Sequence, residues 1–438
     1  MLPPWRNRLV ARLLMLLLAG VACGASAYDF PISDRFAASI VGTPPELQAK
    51  LPRKIPVRTY TLPGIKEVPD VFWYQKGLKF SLVKQDHRAP LVFLVAGTGA
   101  AHDSVKNVAL QKALYAAGFH VLNLPSSTQF NFIVNASTTS LSGFLPDDIR
   151  DMYRVMEQAW ALVREDVEVS DFMIGGYSLG GATAAFLAHH DETARSFGFK
   201  RVLMINPPVD LYNSVQLLDG YLTANLIVGQ GGAFIDEVIQ HLAAAYKPEV
   251  GIRLDEDFIY RAYRADRTTF RSKSVLVGDS GAALVGLWFR ISSSAMLFSG
   301  DVMSHAGYIA PAAKHYGRGE SLEYYAWASA QVPFKQYVDQ MLLPAVMKER
   351  PGNSREDLLR AASLRSIEQY LRTNDKIWAF TNADEIILAP GELDYLRDVL
   401  GSRLRVYPRG GHCGNLMHRD NVRDMIAVFR GEPLAAGV

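Results

Sequence analysis

Residues 176–180 of this chain read Gly-Tyr-Ser-Leu-Gly and place Ser178 where its hydroxyl could act as a nucleophile. The apolar run Phe-Met-Ile-Gly at 172–175 precedes the motif, and Ala-Thr-Ala-Ala-Phe-Leu-Ala at 182–188, which favours a helix, follows it. A strand that turns directly into a helix holds the serine at its tip in a strained backbone conformation, and the flanking glycines let the turn close. The sequence therefore predicts an exposed hydroxyl at the start of a helix.

This strand-turn-helix context resembles the nucleophile elbow of the α/β-hydrolase superfamily. Gly-x-Ser-x-Gly alone is a common pattern, and the strand and helix around it make the match informative. The resemblance extends over residues 91–210 and 376–429. It implies a mainly parallel sheet flanked by helices, and a catalytic triad in the chain order serine, acid, histidine.

Two loops near the C-terminus fit that order. Residues 377–381 predict a buried strand, and Asp384 lies in the loop that follows. Residues 403–407 predict a later strand, and His412 lies in the small-residue loop after it. The resemblance therefore implies that Asp384 is the acid and His412 the base.

Two other carboxylates remain alternatives for the acid. Glu385 is adjacent to Asp384, and Asp210 follows the next predicted strand after the nucleophile helix. For Asp210, a capping or surface role is favoured.

The three residue types are needed together because serine is a weak nucleophile at neutral pH. A neutral imidazole takes the serine proton during attack and returns it to the leaving group. The carboxylate fixes the imidazole tautomer and stabilises the imidazolium. In this interpretation Ser178 is the nucleophile.

Negative charge that develops on the substrate oxygen requires donors already in place. The resemblance implies the backbone N–H of Leu179 and a second N–H from the loop after predicted strand 91–95, assigned to Thr98 with Gly99 as the alternative. Cys413, beside the base, is conceivable as a nucleophilic thiol. A packing role is favoured for it because the serine motif is complete.

The predicted reaction is hydrolysis of a carboxylic ester on a small-molecule or lipid-like acyl substrate. A peptidase or acyltransferase would use the same triad, and a silent hydrolase-fold protein that binds a component of the cell envelope is the alternative from another class. Zinc-binding, paired-cysteine and nucleotide-binding motifs are absent from the sequence, so no metal or cofactor is implied. The cluster at 189–191, His-His-Asp, is interpreted as a helix C-terminus.

The N-terminus predicts secretion. Three arginines precede the apolar run 13–22, and Ala-Ser-Ala at 25–27 fits a cleavage site, so residues 1–27 predict a signal peptide and a periplasmic or secreted protein. Cys23 leaves lipoprotein anchoring open, although residues 20–22 lack the usual upstream leucine. Cleavage would lower the number of Lys and Arg residues from 46 to 43, against 44 Asp and Glu. This near-neutral balance lacks the excess of basic residues that is typical of nucleic-acid-binding proteins.

Strands alternating with helices predict an α/β core in two parts, residues 28–210 and 374–438. Antiparallel strands within 57–84 are expected at the sheet edge. The further predicted elements are strands at 119–124, 172–177 and 201–206, and helices at 104–117, 146–163 and 419–430.

Residues 211–373 lack this alternation and predict a mostly helical cap over the site. Its expected helices are 233–246, 282–296, 324–347 and 355–371. The stretch 281–298 contains Arg290 and several serines, so it is a poor candidate for a membrane span. Six aromatic residues could line an apolar pocket, although a core role is favoured: Trp288, Phe289, Phe298, Tyr324, Tyr325 and Trp327.

Overall fold

The structure is a computed structural model that describes residues 28–226 and 278–435 of the chain. Its strands are β1 Arg58–Leu62, β2 Leu78–Val83, β3 Ala89–Val95, β4 His120–Leu124, β5 Val169–Tyr177, β6 Val202–Ile205, β7 Ile377–Asn382 and β8 Leu404–Tyr407. They form one sheet in the order β1-β2-β4-β3-β5-β6-β7-β8. β2 pairs antiparallel with β1 and with β4, and every other pairing is parallel.

Helices lie on both faces of the sheet. The helices before residue 227 are α1 Arg35–Val41, α2 Val105–Ala116, α3 Phe130–Asn135, α4 Leu145–Val163, α5 Leu179–Ala194 and α6 Leu211–Thr223. Those after residue 277 are α7 Ser280–Ser304, α8 Glu323–Gln331, α9 Phe334–Tyr337, α10 Leu343–Glu349, α11 Arg355–Ala361, α12 Glu368–Thr373, α13 Glu392–Leu400 and α14 Arg419–Arg430. One core cluster packs α4, α5 and α13 on the sheet, and a second packs α2 and α14 on the other face.

The predicted parallel core is confirmed, since β3 to β8 pair with one another in parallel. It was predictable because its strands are apolar runs in the sequence. Strands covered on both faces are apolar along their whole length, and β3, β4 and β6 are almost entirely buried. The antiparallel edge is also confirmed, with β1 outermost and β2 beside it. The last helix begins and ends at the predicted residues.

The region 211–373 is mostly helical where it is described, with residues 305–322 outside the helices, and two predicted helices are interrupted. The one expected at 324–347 breaks at Pro333, because proline has no N–H to donate and disfavours a helical residue before it. The one expected at 355–371 breaks near Ser363, whose hydroxyl donates to Val209 O at 3.0 Å and ties this segment to the core. The helix expected at 233–246 lies outside the described residues.

Helix α7 covers the carboxyl end of the sheet. It packs closely on α6, since a Cβ at Gly286 would lie 2.4 Å from Leu222 N. Within the described residues α7 alone is long and apolar enough to span a membrane by length and composition, and 61% of its most apolar window is buried inside the protein. Arg290 is buried in this helix and pairs with Asp219 of α6 at 3.1 Å. The helix therefore has a protein partner for its charge and for most of its apolar surface.

Candidate active site

Ser178 lies at the tip of a tight turn between β5 and α5. Its φ of 56° and ψ of −130° are a strained combination for a residue with a side chain. A Cβ at Gly176 would lie 2.3 Å from Gly180 O, and a Cβ at Gly180 would lie 2.2 Å from Val95 O. Only glycine fits at these two positions, and this turn holds the serine above the sheet.

His412 contacts this serine from the loop after β8. Its Nε2 lies 2.8 Å from Ser178 Oγ. Three residues of the loop have positive φ, which lets it fold back over the sheet edge: Gly410 at 152°, Gly411 at 54° and Cys413 at 60°. The structure therefore brings together the predicted nucleophile and the predicted base.

The carboxylate that contacts the imidazole is Glu385, and the expectation of Asp384 is corrected. Glu385 Oε1 lies 2.9 Å from His412 Nδ1. Asp384 instead accepts hydrogen bonds from Gly410 N at 3.2 Å and Gly411 N at 2.9 Å. The two adjacent carboxylates divide their roles: the shorter one holds the main chain of the loop, and the longer one reaches the ring.

Glu385 is itself held by three donors. Oε1 accepts from Ile386 N at 2.8 Å and Ile387 N at 3.3 Å, and Oε2 accepts from Asn206 Nδ2 at 2.6 Å. Sequence reasoning missed Asn206, although its position directly after β6 was a signal. The Asp210 carboxylate accepts from Asn213 N at 3.0 Å and caps α6, so the favoured capping role is confirmed.

The loop after β3 lies beside the nucleophile. A Cβ at Gly97 would lie 2.7 Å from the Tyr177 ring and 3.2 Å from Ser178 Cβ, so glycine allows the close approach. The Gly99 N–H donates to Thr128 Oγ1 at 2.8 Å and is already paired. Of the two candidates in this loop, Thr98 is therefore favoured over Gly99 as a donor to a substrate oxygen, together with Leu179 at the start of α5.

Several features now decide the fold: the mostly parallel sheet, the elbow after β5, the loop after β3 beside the serine, and the chain order Ser178, Glu385, His412. The chain has the α/β-hydrolase fold. Between the neighbouring strands β6 and β7, the described residues include the helices α6 to α12.

No protein-family model and no curated protein match the chain. Among solved structures, the thioesterase domain from the curacin biosynthetic pathway aligns with 85% of this chain and 99% of that chain, at 13% identity and a TM-score of 0.37. The bacterial heroin esterase aligns with 87% of this chain and 84% of its own, at 14% identity and a TM-score of 0.40. The Pyrococcus horikoshii acylaminoacyl peptidase aligns with 86% of this chain and 41% of its own, at 11% identity and a TM-score of 0.41. Likenesses of this size carry no argument about activity, and the α/β-hydrolase assignment depends on the features above.

The electrostatics around His412 favour its protonated form. Burial lowers the pKa of His412, but the neighbouring Cys413 sulfur and the Glu385 carboxylate raise it, and the balance leaves the pKa well above its usual value. We attribute the rise to Glu385, because its carboxylate contacts Nδ1 directly. An ionised carboxylate can only accept, so Nδ1 carries a proton and, in the neutral ring, Nε2 accepts from the Ser178 hydroxyl.

A cavity of about 350 Å³ opens at Ser178 and His412. Its walls include residues 39–48, α6, α7 and the loop after β7, together with parts of the loop after β3, the start of α2 and the loop that carries His412. Among the described residues, the lining contains one charged side chain besides His412, that of Lys106. The cavity is therefore largely apolar and adjoins Ser178.

A second cavity of about 670 Å³ lies on the other side of the loop after β3. The two cavities share Thr98, Trp288 and Ser292 as walls. Of the predicted aromatic residues, Trp288 and Phe289 line the cavity at Ser178, and Phe298 lines the second. Tyr325 is partly buried and packs against a core cluster, whereas Tyr324 and Trp327 are exposed.

Cys413 is buried, and its Sγ lies 3.9 Å from His412 Nε2. The serine hydroxyl, at 2.8 Å, is the closer partner of that nitrogen. The thiol packs in the core cluster beneath α14, in line with the favoured packing role.

The cluster at 189–191 has separate partners. His189 packs on Tyr370 and His190 on Tyr153, while Asp191 accepts from the N–H groups of residues 197–199. These contacts secure the end of α5.

Proposed function

We propose that this protein is a serine hydrolase that cleaves a carboxylic ester, or a related acyl bond, through an acyl-enzyme on Ser178. The observation that carries the proposal is the alignment of Ser178 Oγ, His412 and Glu385, with contacts of 2.8 and 2.9 Å at the two ring nitrogens. Geometry of this kind activates a serine hydroxyl on unrelated folds.

In the first half-reaction Ser178 Oγ attacks the acyl carbon while His412 Nε2 takes the hydroxyl proton. The carbonyl oxygen becomes an oxyanion, which accepts from the N–H groups of Thr98 and Leu179. The tetrahedral intermediate collapses, the bond to the leaving group breaks, and His412 donates its proton to that group. Glu385 stabilises the imidazolium while it exists and stays ionised.

In the second half-reaction a water molecule attacks the acyl carbon. His412 takes a proton from the water, the bond from the acyl carbon to Ser178 Oγ breaks, and the proton returns to the serine. The products are a carboxylic acid and the free enzyme.

The lining of the cavity supports an acyl substrate with an apolar chain. Aliphatic side chains such as Val215, Leu218, Leu284 and Ile387 surround the space next to Ser178. Transfer of an apolar chain from water to such a surface is favourable by about 25 cal/mol per Å². A carboxylic ester with a neutral acyl chain is therefore the substrate class that we propose.

The proposal is tested by labelling the purified protein with a fluorophosphonate probe. We expect the wild type to be labelled, and Ser178→Ala and His412→Ala to lose the label. Ser81→Ala, which alters a buried serine on β2, is a control that should be labelled like the wild type. If the folded wild type takes no label, the serine is not activated, and a silent binding protein would be favoured instead.

A further inference from the structure

The N-terminal strap, defined here as residues 28–49, wraps around the loop that carries the base. This base loop comprises residues 409–418. The Tyr28 hydroxyl donates to Arg409 O at 3.1 Å, and His418 Nε2 lies 2.9 Å from Asp29 Oδ1. At the other end of the strap, Ala49 N donates to Met417 O at 2.9 Å.

Between these ends, α1 lies directly against the glycines of the base loop. A Cβ at Gly411 would lie 2.2 Å from Arg35 O, and one at Gly414 would lie 2.1 Å from Ala38 O. Backbone meets backbone at both points, so the two segments fit only because neither glycine has a side chain.

One side chain of the strap bonds to the catalytic base. Ser39 Oγ accepts a hydrogen bond from His412 N at 2.7 Å and donates to Arg35 O at 2.7 Å. The two preceding N–H groups of the loop, of Gly410 and Gly411, donate to Asp384. Ser39 therefore completes a row of three fixed N–H groups that ends at His412.

The strap also lines the substrate cavity. Ile40 and Val41 line the cavity at Ser178, next to Ser39 itself. The Phe36 side chain of α1 packs with Ile386 and Ala282, which belong to the loop 383–391 after β7, here called the acid loop, and to α7. The strap thus contacts the base loop, the acid loop and the helix above the site.

We propose that the strap is part of the active site. In this proposal, which rests on the proposed function, Ser39 is a positioning residue for His412, and Ile40 and Val41 are specificity-determining residues for the acyl chain. The physical reason is that the imidazole must meet two partners at 2.8 and 2.9 Å, and a displacement of about 1 Å costs about 10²-fold in rate.

The first test compares Ser39→Ala, Ser39→Thr and Ser299→Ala with p-nitrophenyl butyrate as substrate. Ser299 is a matched control, because it is a buried helical serine on α7 whose hydroxyl donates to Met296 O and does not line either cavity. For Ser39→Ala we expect kcat to fall about 10- to 100-fold with little change in KM, since the bound acyl group is retained but the base is displaced. Ser39→Thr restores the hydroxyl and should recover most of the wild-type kcat. Ser299→Ala should have the kcat of the wild type.

A kcat for Ser39→Ala that equals that of Ser299→Ala, or no rescue by threonine, would overturn the positioning role. The thermal midpoint of each variant is measured in parallel, so that a fall in kcat is compared only among folded proteins. Fluorophosphonate labelling of the wild type separates the two proposals. If the wild type is labelled and Ser39→Ala is labelled at the same rate, the strap inference fails while the serine hydrolase stands.

The second test measures specificity with p-nitrophenyl esters of increasing chain length. Val41→Trp fills part of the cavity from the strap side, so we expect its preferred chain to shorten by several carbons relative to the wild type. Ile40→Ala enlarges the cavity and should shift the preference to longer chains. If both variants have the chain-length profile of the wild type, the strap does not determine the preferred length of the acyl chain.

Discussion

The two neighbouring carboxylates of the acid loop make a sharp prediction. Glu385→Gln should strongly reduce activity, whereas Asp384→Asn should chiefly reduce stability. Both substitutions replace one oxygen by an amide nitrogen and keep the size of the side chain, so each is a matched control for the other.

The magnitude for Glu385 follows from its contact with His412. The carboxylate lies 2.9 Å from Nδ1, and its side chain is 2% exposed. Two unit charges about 4 Å apart at an effective dielectric constant of about 20 interact by about 4 kcal/mol. This energy stabilises the imidazolium in the transition state, and its loss corresponds to about 10³-fold in kcat/KM. The amide can also donate to Nδ1 and select the wrong tautomer, which adds to the loss.

Asp384→Asn removes the negative charge from an acceptor of two backbone N–H groups. A hydrogen bond to a charged group contributes about 1.5–3 kcal/mol, and the asparagine oxygen can retain one of the two bonds. We therefore expect a lower thermal midpoint and a fall in kcat/KM of about 10-fold or less.

The pH dependence separates the two carboxylates further. Because Glu385 raises the pKa of His412, the base becomes neutral only above the usual histidine range, and kcat/KM of the wild type should rise with pH through that raised pKa. Removal of the carboxylate in Glu385→Gln should move this rise to lower pH. Steady-state kinetics from pH 5 to 10 measures both effects. A loss of about 10³-fold in Asp384→Asn, with no shift of the pH profile in Glu385→Gln, would refute the assignment of Glu385.

Three further predictions concern other parts of the molecule. Gly97→Ala should reduce kcat about 10- to 100-fold because its Cβ would collide with the Tyr177 ring and displace the N–H of Thr98, whereas Gly220→Ala, whose Cβ meets open space, should keep wild-type kinetics. Cys413→Ala should retain most of the activity, since the serine is the closer partner of the base, and a loss as large as that of Ser178→Ala would point to a catalytic thiol. We propose cleavage after Ala27, so N-terminal sequencing of the mature protein should begin at Tyr28, and a lipidated Cys23 would contradict this proposal.

The sheet and the tight turn at Ser178 were predictable because their signals are local. Buried parallel strands are continuous apolar runs, as in β3 and β6, and the elbow needs small residues on both sides of Ser178. The choice between Asp384 and Glu385 was not predictable in this way. Both residues lie in the same loop, and the outcome depends on which side chain meets the ring and which meets the main chain of a loop 26 residues further along.

The strap was beyond the reach of sequence patterns for a different reason. Ser39 and His412 are 373 residues apart, and a single serine in a short helix carries no periodic signal. The interruption at Pro333 could have been read from the sequence, because proline inside a helical pattern ends or bends the helix. Asn206 was likewise visible as a polar residue directly after a buried strand.

The base loop depends on two distant segments at once, and this leads to a final prediction. Asp384 holds the N–H groups of Gly410 and Gly411, and Ser39 holds that of His412. Three consecutive donors on one strained loop cannot move independently, so loss of either partner should weaken the bonds to the other. Residues that share one hydrogen-bond network show interaction energies of about 0.5–3 kcal/mol in double-mutant cycles.

A cycle with Ser39→Ala and Asp384→Asn, read out as kcat/KM, should therefore deviate from additivity by about 2- to 150-fold. The same cycle with Ser299→Ala in place of Ser39→Ala should be additive, because the Ser299 hydroxyl bonds within α7, to Met296 O. Additivity in both cycles would mean that the two segments hold the loop separately. Coupling only in the first would show that the strap and the acid loop act as one support for His412.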